Sequence, residues 1–77
     1  MTMGLEKDIK VQNFVIRTIM LKKESFSEKD ILESIHDSFI IAENEEAVIQ
    51  EIVHDSILNF LRSGMIREIN EDYYERA

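Results

Sequence analysis

Cysteine and proline are both absent from the 77 residues, and glycine occurs only at Gly4 and Gly64. Without cysteine the chain can hold neither a disulfide nor a thiolate-bound metal. Its two separated histidines, His36 and His54, cannot complete a structural zinc site. Without proline, the breaks between elements must come from caps and from changes in periodicity. No run of about 18 apolar residues occurs, so a helix spanning a bilayer is not expected. The segment Met1-Thr2-Met3-Gly4 lacks the basic and apolar regions of an export signal, which points to the cytoplasm. Bases are scarce too: 9 Lys and Arg against 16 Asp and Glu leave a net charge of −7 and a pI of about 4.7. A surface of that sign repels nucleic acid and anionic membranes.

What is present has globular composition, 44% hydrophobic and 32% charged. The length fits one domain over residues 1–77 with one modest core. A domain this small buries only roughly 60% of the surface its unfolded chain exposes. With no disulfide or metal to help, association with a second chain is the expected supplement.

The periodicity predicts three helices, over about residues 5–23, 28–40 and 45–63. Ser25 and Ser27 interrupt the first, because serine competes for backbone hydrogen bonds and favours caps over helix interiors. Ser27 is a suitable N-cap for the second helix, with Asp30 in the reciprocal position of a capping box. That helix carries a single apolar stripe of Ile31, Leu32, Ile35 and Phe39. Asn44 is the expected cap of the third helix, with Glu45 and Glu46 at the positive end of its dipole. Ile49, Ile52, Val53, Ser56, Ile57 and Phe60 form its inner stripe, and Gly64 stops it after Arg62. Residues 65–77 read as a hairpin around Asn70-Glu71-Asp72, pairing Ile69 with Tyr73, Glu68 with Tyr74 and Arg67 with Glu75. A short final helix is the competing reading. The fold class is therefore α+β, mainly α.

Helix, short extended link, helix, helix, glycine and hairpin is an order that resembles the winged-helix branch of the helix-turn-helix proteins. The resemblance rests on Leu58-Asn59-Phe60-Leu61-Arg62-Ser63-Gly64-Met65-Ile66 followed by Tyr73-Tyr74. Residues 25–27 match that family's short first strand, and Phe26-Ser27 with Asp30-Ile31 matches its entry into the second helix. The match extends from about Leu5 to the C-terminus, its motifs are structural, and no subfamily is marked. It implies a third helix that reads a DNA major groove and a hairpin that touches the backbone.

Charge placement argues against that use. At 100° per residue the solvent face of the third helix holds Glu51, His54, Asp55, Leu58, Asn59 and Arg62. Residues 45–62 contain four acids and one base; residues 65–77 contain four acids and two bases. Affinity for DNA comes largely from neutralising phosphates, which this surface opposes. The face is either plain solvated surface or a surface that meets a protein partner.

The first helix is more informative. Val11, Phe14, Val15, Thr18 and Leu21 make one stripe, enough to pack on the other two helices. Leu5, Ile9, Ile16 and Met20 lie roughly opposite, with Ile19 between, and only the sector of Glu6, Lys10, Asn13 and Arg17 is consistently polar. A three-helix domain can hardly surround its first helix. A homodimer interface through Leu5, Ile9, Ile16, Ile19 and Met20 is therefore expected, unless the hairpin or the N-terminal residues cover them. Both histidines fall on polar faces with no carboxylate partner at i+4, so they are expected to be exposed and roughly unperturbed. No phosphate-binding loop, paired-histidine motif or nucleophile elbow occurs, so neither catalysis nor a cofactor is expected. The sequence thus reads as a non-catalytic interaction module, with a DNA-binding transcription regulator as the alternative.

Overall fold

A computed structural model describes residues 3–77, so Met1 and Thr2, part of the segment judged above against an export signal, lie outside the described residues. The start of α2 and the end of α3 fall where cap chemistry places them. The first, α1, spans Leu5–Met20; the second, α2, spans Glu28–Ser38; the third, α3, spans Glu46–Ser63. Strands β1 (Ile66–Asn70) and β2 (Tyr73–Arg76) form an antiparallel hairpin, so the competing final helix is excluded. Among the described residues the chain is three helices and a C-terminal hairpin, α+β and mainly α.

The Ser27 cap forms as expected. The Asp30 N–H donates to Ser27 Oγ at 3.3 Å, and the Ser27 N–H donates to Asp30 Oδ2 at 2.9 Å. Asn44 does not cap α3. A 3₁₀ turn over Glu43–Glu45 precedes that helix, and the Glu45 carboxylate accepts the Ala42 N–H at 2.9 Å. Glu45 thus holds the N-cap position of α3 without a side-chain bond into that helix, and Lys7 Nζ donates to Glu45 Oε1 at 2.7 Å and to the Ile40 carbonyl at 2.7 Å. That lysine ties α1 to the link between α2 and α3. The pairing holds the Glu45 carboxyl below its ordinary range, with the Lys7 hydrogen bond as the main cause.

α1 stops at Met20, three residues short of the expected end. Leu21, read as part of the inner stripe, is therefore exposed. Gly64 ends α3 as expected, at φ +79°. Its N–H donates to the Leu61 carbonyl and the Met65 N–H to the Phe60 carbonyl, the two bonds of a Schellman motif. A Cβ at Gly64 would meet nothing within 4 Å, so its substitution costs backbone strain alone. Gly64→Ala is expected to lower stability by about 1 kcal/mol, measured by urea denaturation.

The hairpin keeps two of its three expected pairs, Arg67 with Glu75 and Glu68 with Tyr74. Tyr73 faces Asn70 instead of Ile69, and the register shifts between Glu68 and Asn70. Asp72 supplies the left-handed residue the tight turn needs, at φ +69°, so the shift is absorbed in the strand at Ile69. The 25–27 link joins the same sheet. Phe26 bridges Tyr74 with N–H to carbonyl distances of 2.9 and 2.8 Å in the two directions. β2 therefore has β1 on one side and Phe26 on the other.

One apolar core fills the centre. Val11, Val15 and Ile19 of α1 meet Ile31 and Ile35 of α2 and Ile49, Val53, Ile57 and Phe60 of α3, with Met3, Phe26 and Ile66 closing the ends. Each such fully buried side chain contributes about 1.5–3 kcal/mol relative to exposure. Phe14 packs edge-on against Phe39 at 5.3 Å between ring centroids, joining α1 to the end of α2. No buried side-chain nitrogen or oxygen among the described residues lacks a partner.

Candidate interaction surfaces

α1 buries one side and leaves another bare. The buried side is centred on Val11, Val15 and Ile19, turned by about 60° from the stripe that spacing suggested. The turn arises because α3 packs against the Ile19 edge of α1. It corrects one expectation: Ile19 has no exposed surface and belongs to the core, so it cannot form part of an interface. The other four residues stay outside. Leu5 is 78% exposed, Ile9 48%, Ile16 41% and Met20 46%, and neither the hairpin nor Met3 covers them. They share a sector of roughly 60° on the helix surface, with Gln12 at its edge between Ile9 and Ile16.

Beside that stripe runs a groove between α1 and α3 of about 440 Å³. Gln12 and Ile16 form its α1 wall; Ile52, Asp55, Asn59 and Phe60 form the opposite side, and Met65 closes one end. A smaller hollow of about 200 Å³ continues past Phe60 and Met65 to Met20 and Ala77. Stripe and hollows together make an apolar strip from α1 to the start of β1, with polar groups at its margins. Helical spacing reveals the stripe but neither Met65 nor the groove. Both depend on how α3 leans on α1.

The sector Glu51, His54, Asp55, Leu58, Asn59 and Arg62 does form the outer side of α3, and all but half-buried Leu58 are exposed. Its members serve different neighbours. Asp55 and Asn59 border the groove, whereas His54 reaches α2.

Both histidines are exposed as expected, but each has a carboxylate partner far along the chain, across the α2–α3 junction. His54 Nδ1 lies 2.8 Å from Glu28 Oε1, and His36 Nε2 lies 2.9 Å from Glu46 Oε1. One pair runs from an α2 acid to an α3 base, the other from an α2 base to an α3 acid. Local spacing cannot show either contact, because the partners stand 26 and 10 residues apart. The Glu28 hydrogen bond raises the His54 pKa above its ordinary 6.5, with the charges of Glu28 and Asp55 adding to it. A raised folded-state pKa gives stability that is complete below pH 6.5 and is lost as pH rises through the higher folded value. His54→Gln is expected to flatten that alkaline decline. Urea midpoints of both proteins from about pH 5 to about pH 9 check this, and parallel curves would contradict it.

The hairpin side is acidic. Tyr74 is half-buried against the core and Tyr73 is exposed. Burial chiefly pushes the Tyr74 phenol up, and the charges of Glu28, Glu68 and Asp72 push the same way. Arg67 is occupied by Glu75, with 2.9 Å between Arg67 Nη2 and Glu75 Oε1. That occupies one of the hairpin's two bases, and the exposed Arg76 is outnumbered by the acids around it. Among the described residues no group of three potential ligands is placed to hold a metal, and no helix is long and apolar enough to cross a membrane. No family model matches the chain, and neither the curated proteins nor the solved structures contain a match to it.

Proposed function

We propose that this chain is a non-catalytic, winged-helix-like interaction module of the cytoplasm, which pairs with a second copy through α1 and offers its acidic α3 and hairpin surface to a protein partner. The observation that carries the reading is the stripe of Leu5, Ile9, Ile16 and Met20, exposed on a helix whose other side is already packed. Four large apolar groups in one row, continuous with an apolar groove, are the mark of a surface that is covered in use. The winged-helix likeness draws support from the Phe26 bridge, which gives the hairpin a third, short partner before α2.

The placement of charge favours a protein partner over DNA. The outer sector of α3 holds Glu51 and Asp55 against Arg62 as its one permanent base, and acids surround Tyr74. Anisotropy of a labelled DNA duplex, titrated with the chain at low salt, tests this. No saturable binding is expected at micromolar protein. Micromolar binding that weakens steeply with salt would replace this reading with that of a DNA-binding regulator.

A further inference from the structure

The apolar strip also carries information about how two copies meet. Leu5, Ile9, Gln12 and Ile16 succeed one another at spacings of four, three and four, the a/d pattern of a coiled-coil seam. Ile9 and Ile16 take the a positions, Leu5 and Gln12 the d positions. The pattern spans little more than one heptad, because the next d position is Ile19, which lies in the core. The Gln12 amide is steadied by Asp8 one turn earlier.

The margins of the strip differ in charge. On the α3 side stands Asp55, which borders the groove. On the far side runs the polar shoulder of Glu6, Lys10, Asn13 and Arg17, where Lys10 pairs with Glu6 at 3.3 Å. Arg17 and Asp55 are left without ion-pair partners among the described residues. Arg17 follows Ile16 directly, and Ile16 lines the same groove as Asp55, so the two charges stand at similar heights on opposite margins. A twofold axis across α1 would make the helices antiparallel and bring like margins together. A twofold axis along α1 makes them parallel and brings unlike margins together.

We propose that two copies associate with their α1 helices parallel, about a twofold axis along the Ile9–Ile16 seam, so that Arg17 of each copy meets the partner's Asp55. The proposal rests on the dimer reading above and adds its geometry. Twofold symmetry forms the pair twice, so each contact counts double.

The absence of native cysteine makes the test direct. Ile9→Cys and Ile16→Cys are prepared separately and oxidised under mild conditions. In the parallel arrangement each variant links to its own copy, because equivalent Cα atoms face each other within disulfide reach of about 4.4–6.8 Å. In the antiparallel arrangement neither links efficiently alone, and only a mixture of the two variants yields a crosslinked pair. A charge exchange gives an independent arm. Arg17→Asp and Asp55→Arg should each raise the dimer Kd by about tenfold or more. The double variant should return it to within about threefold of the original. Circular dichroism of each variant checks that the fold is kept. Crosslinking only in the mixture, or no recovery in the double variant, overturns the parallel geometry while the dimer itself stands. A chain that is monomeric in every preparation overturns both.

Discussion

Phe26→Ala is expected to destabilise the domain by about 3–5 kcal/mol, the range for deleting a buried phenylalanine. A domain of this length has a total stability of roughly 4–12 kcal/mol, so the loss is a large part of the whole. Phe26 has no exposed surface, and its ring meets Tyr74 at 6.0 Å between centroids. Its side chain holds the link, α2 and the hairpin in one core. The backbone bridge to Tyr74 can persist without the ring, but deleting the ring leaves a cavity in the core. Urea denaturation followed by circular dichroism measures the effect. Ile40→Ala is the control: Ile40 is 92% exposed, and its truncation should change stability by less than about 0.5 kcal/mol. Equal effects at the two positions would contradict the assignment of Phe26 to the core.

Ile16→Glu should act on association and spare the fold. In the single chain Ile16 is 41% exposed, so a carboxylate there can keep its water. In a dimer sealed through α1 the same carboxylate would be buried without a partner, at a cost of several kcal/mol. A rise in the dimer Kd of at least about a hundredfold is expected. Sedimentation across a dilution series measures it, while an unchanged circular dichroism spectrum shows that the monomer is intact. Loss of folded structure instead would place Ile16 in the core.

What could be read from the residues divides by the range of the interaction. The Ser27 capping box, the Gly64 stop and the acidic sector of α3 are set by neighbours within one or two turns, and all were legible. Phe26 was visible as part of a link but not as core, since a lone aromatic between two serines has no periodicity to betray it. The phase of α1 was misjudged because Ile19 and Leu21 are equally apolar. Only the lean of α3 and the end of the helix at Met20 decide which of them is buried. The histidine pairs and the α1–α3 groove need the tertiary fold. No spacing rule reaches from Glu28 to His54, or from Ile16 to Met65. Asn44 is displaced from the cap position of α3 because a 3₁₀ turn over Glu43–Glu45 leads into that helix, which cap patterns do not show.

That long-range part of the fold makes one side of α1 core and leaves the other as an uncovered stripe. The molar mass of the unmodified chain, measured by light scattering over a concentration series, tests the use of that stripe most directly. Pairing through α1 predicts a mass near twice the 9.1 kDa of the chain at tens of micromolar, falling toward the single-chain value on dilution. A mass of one chain that persists to high micromolar concentration would contradict it.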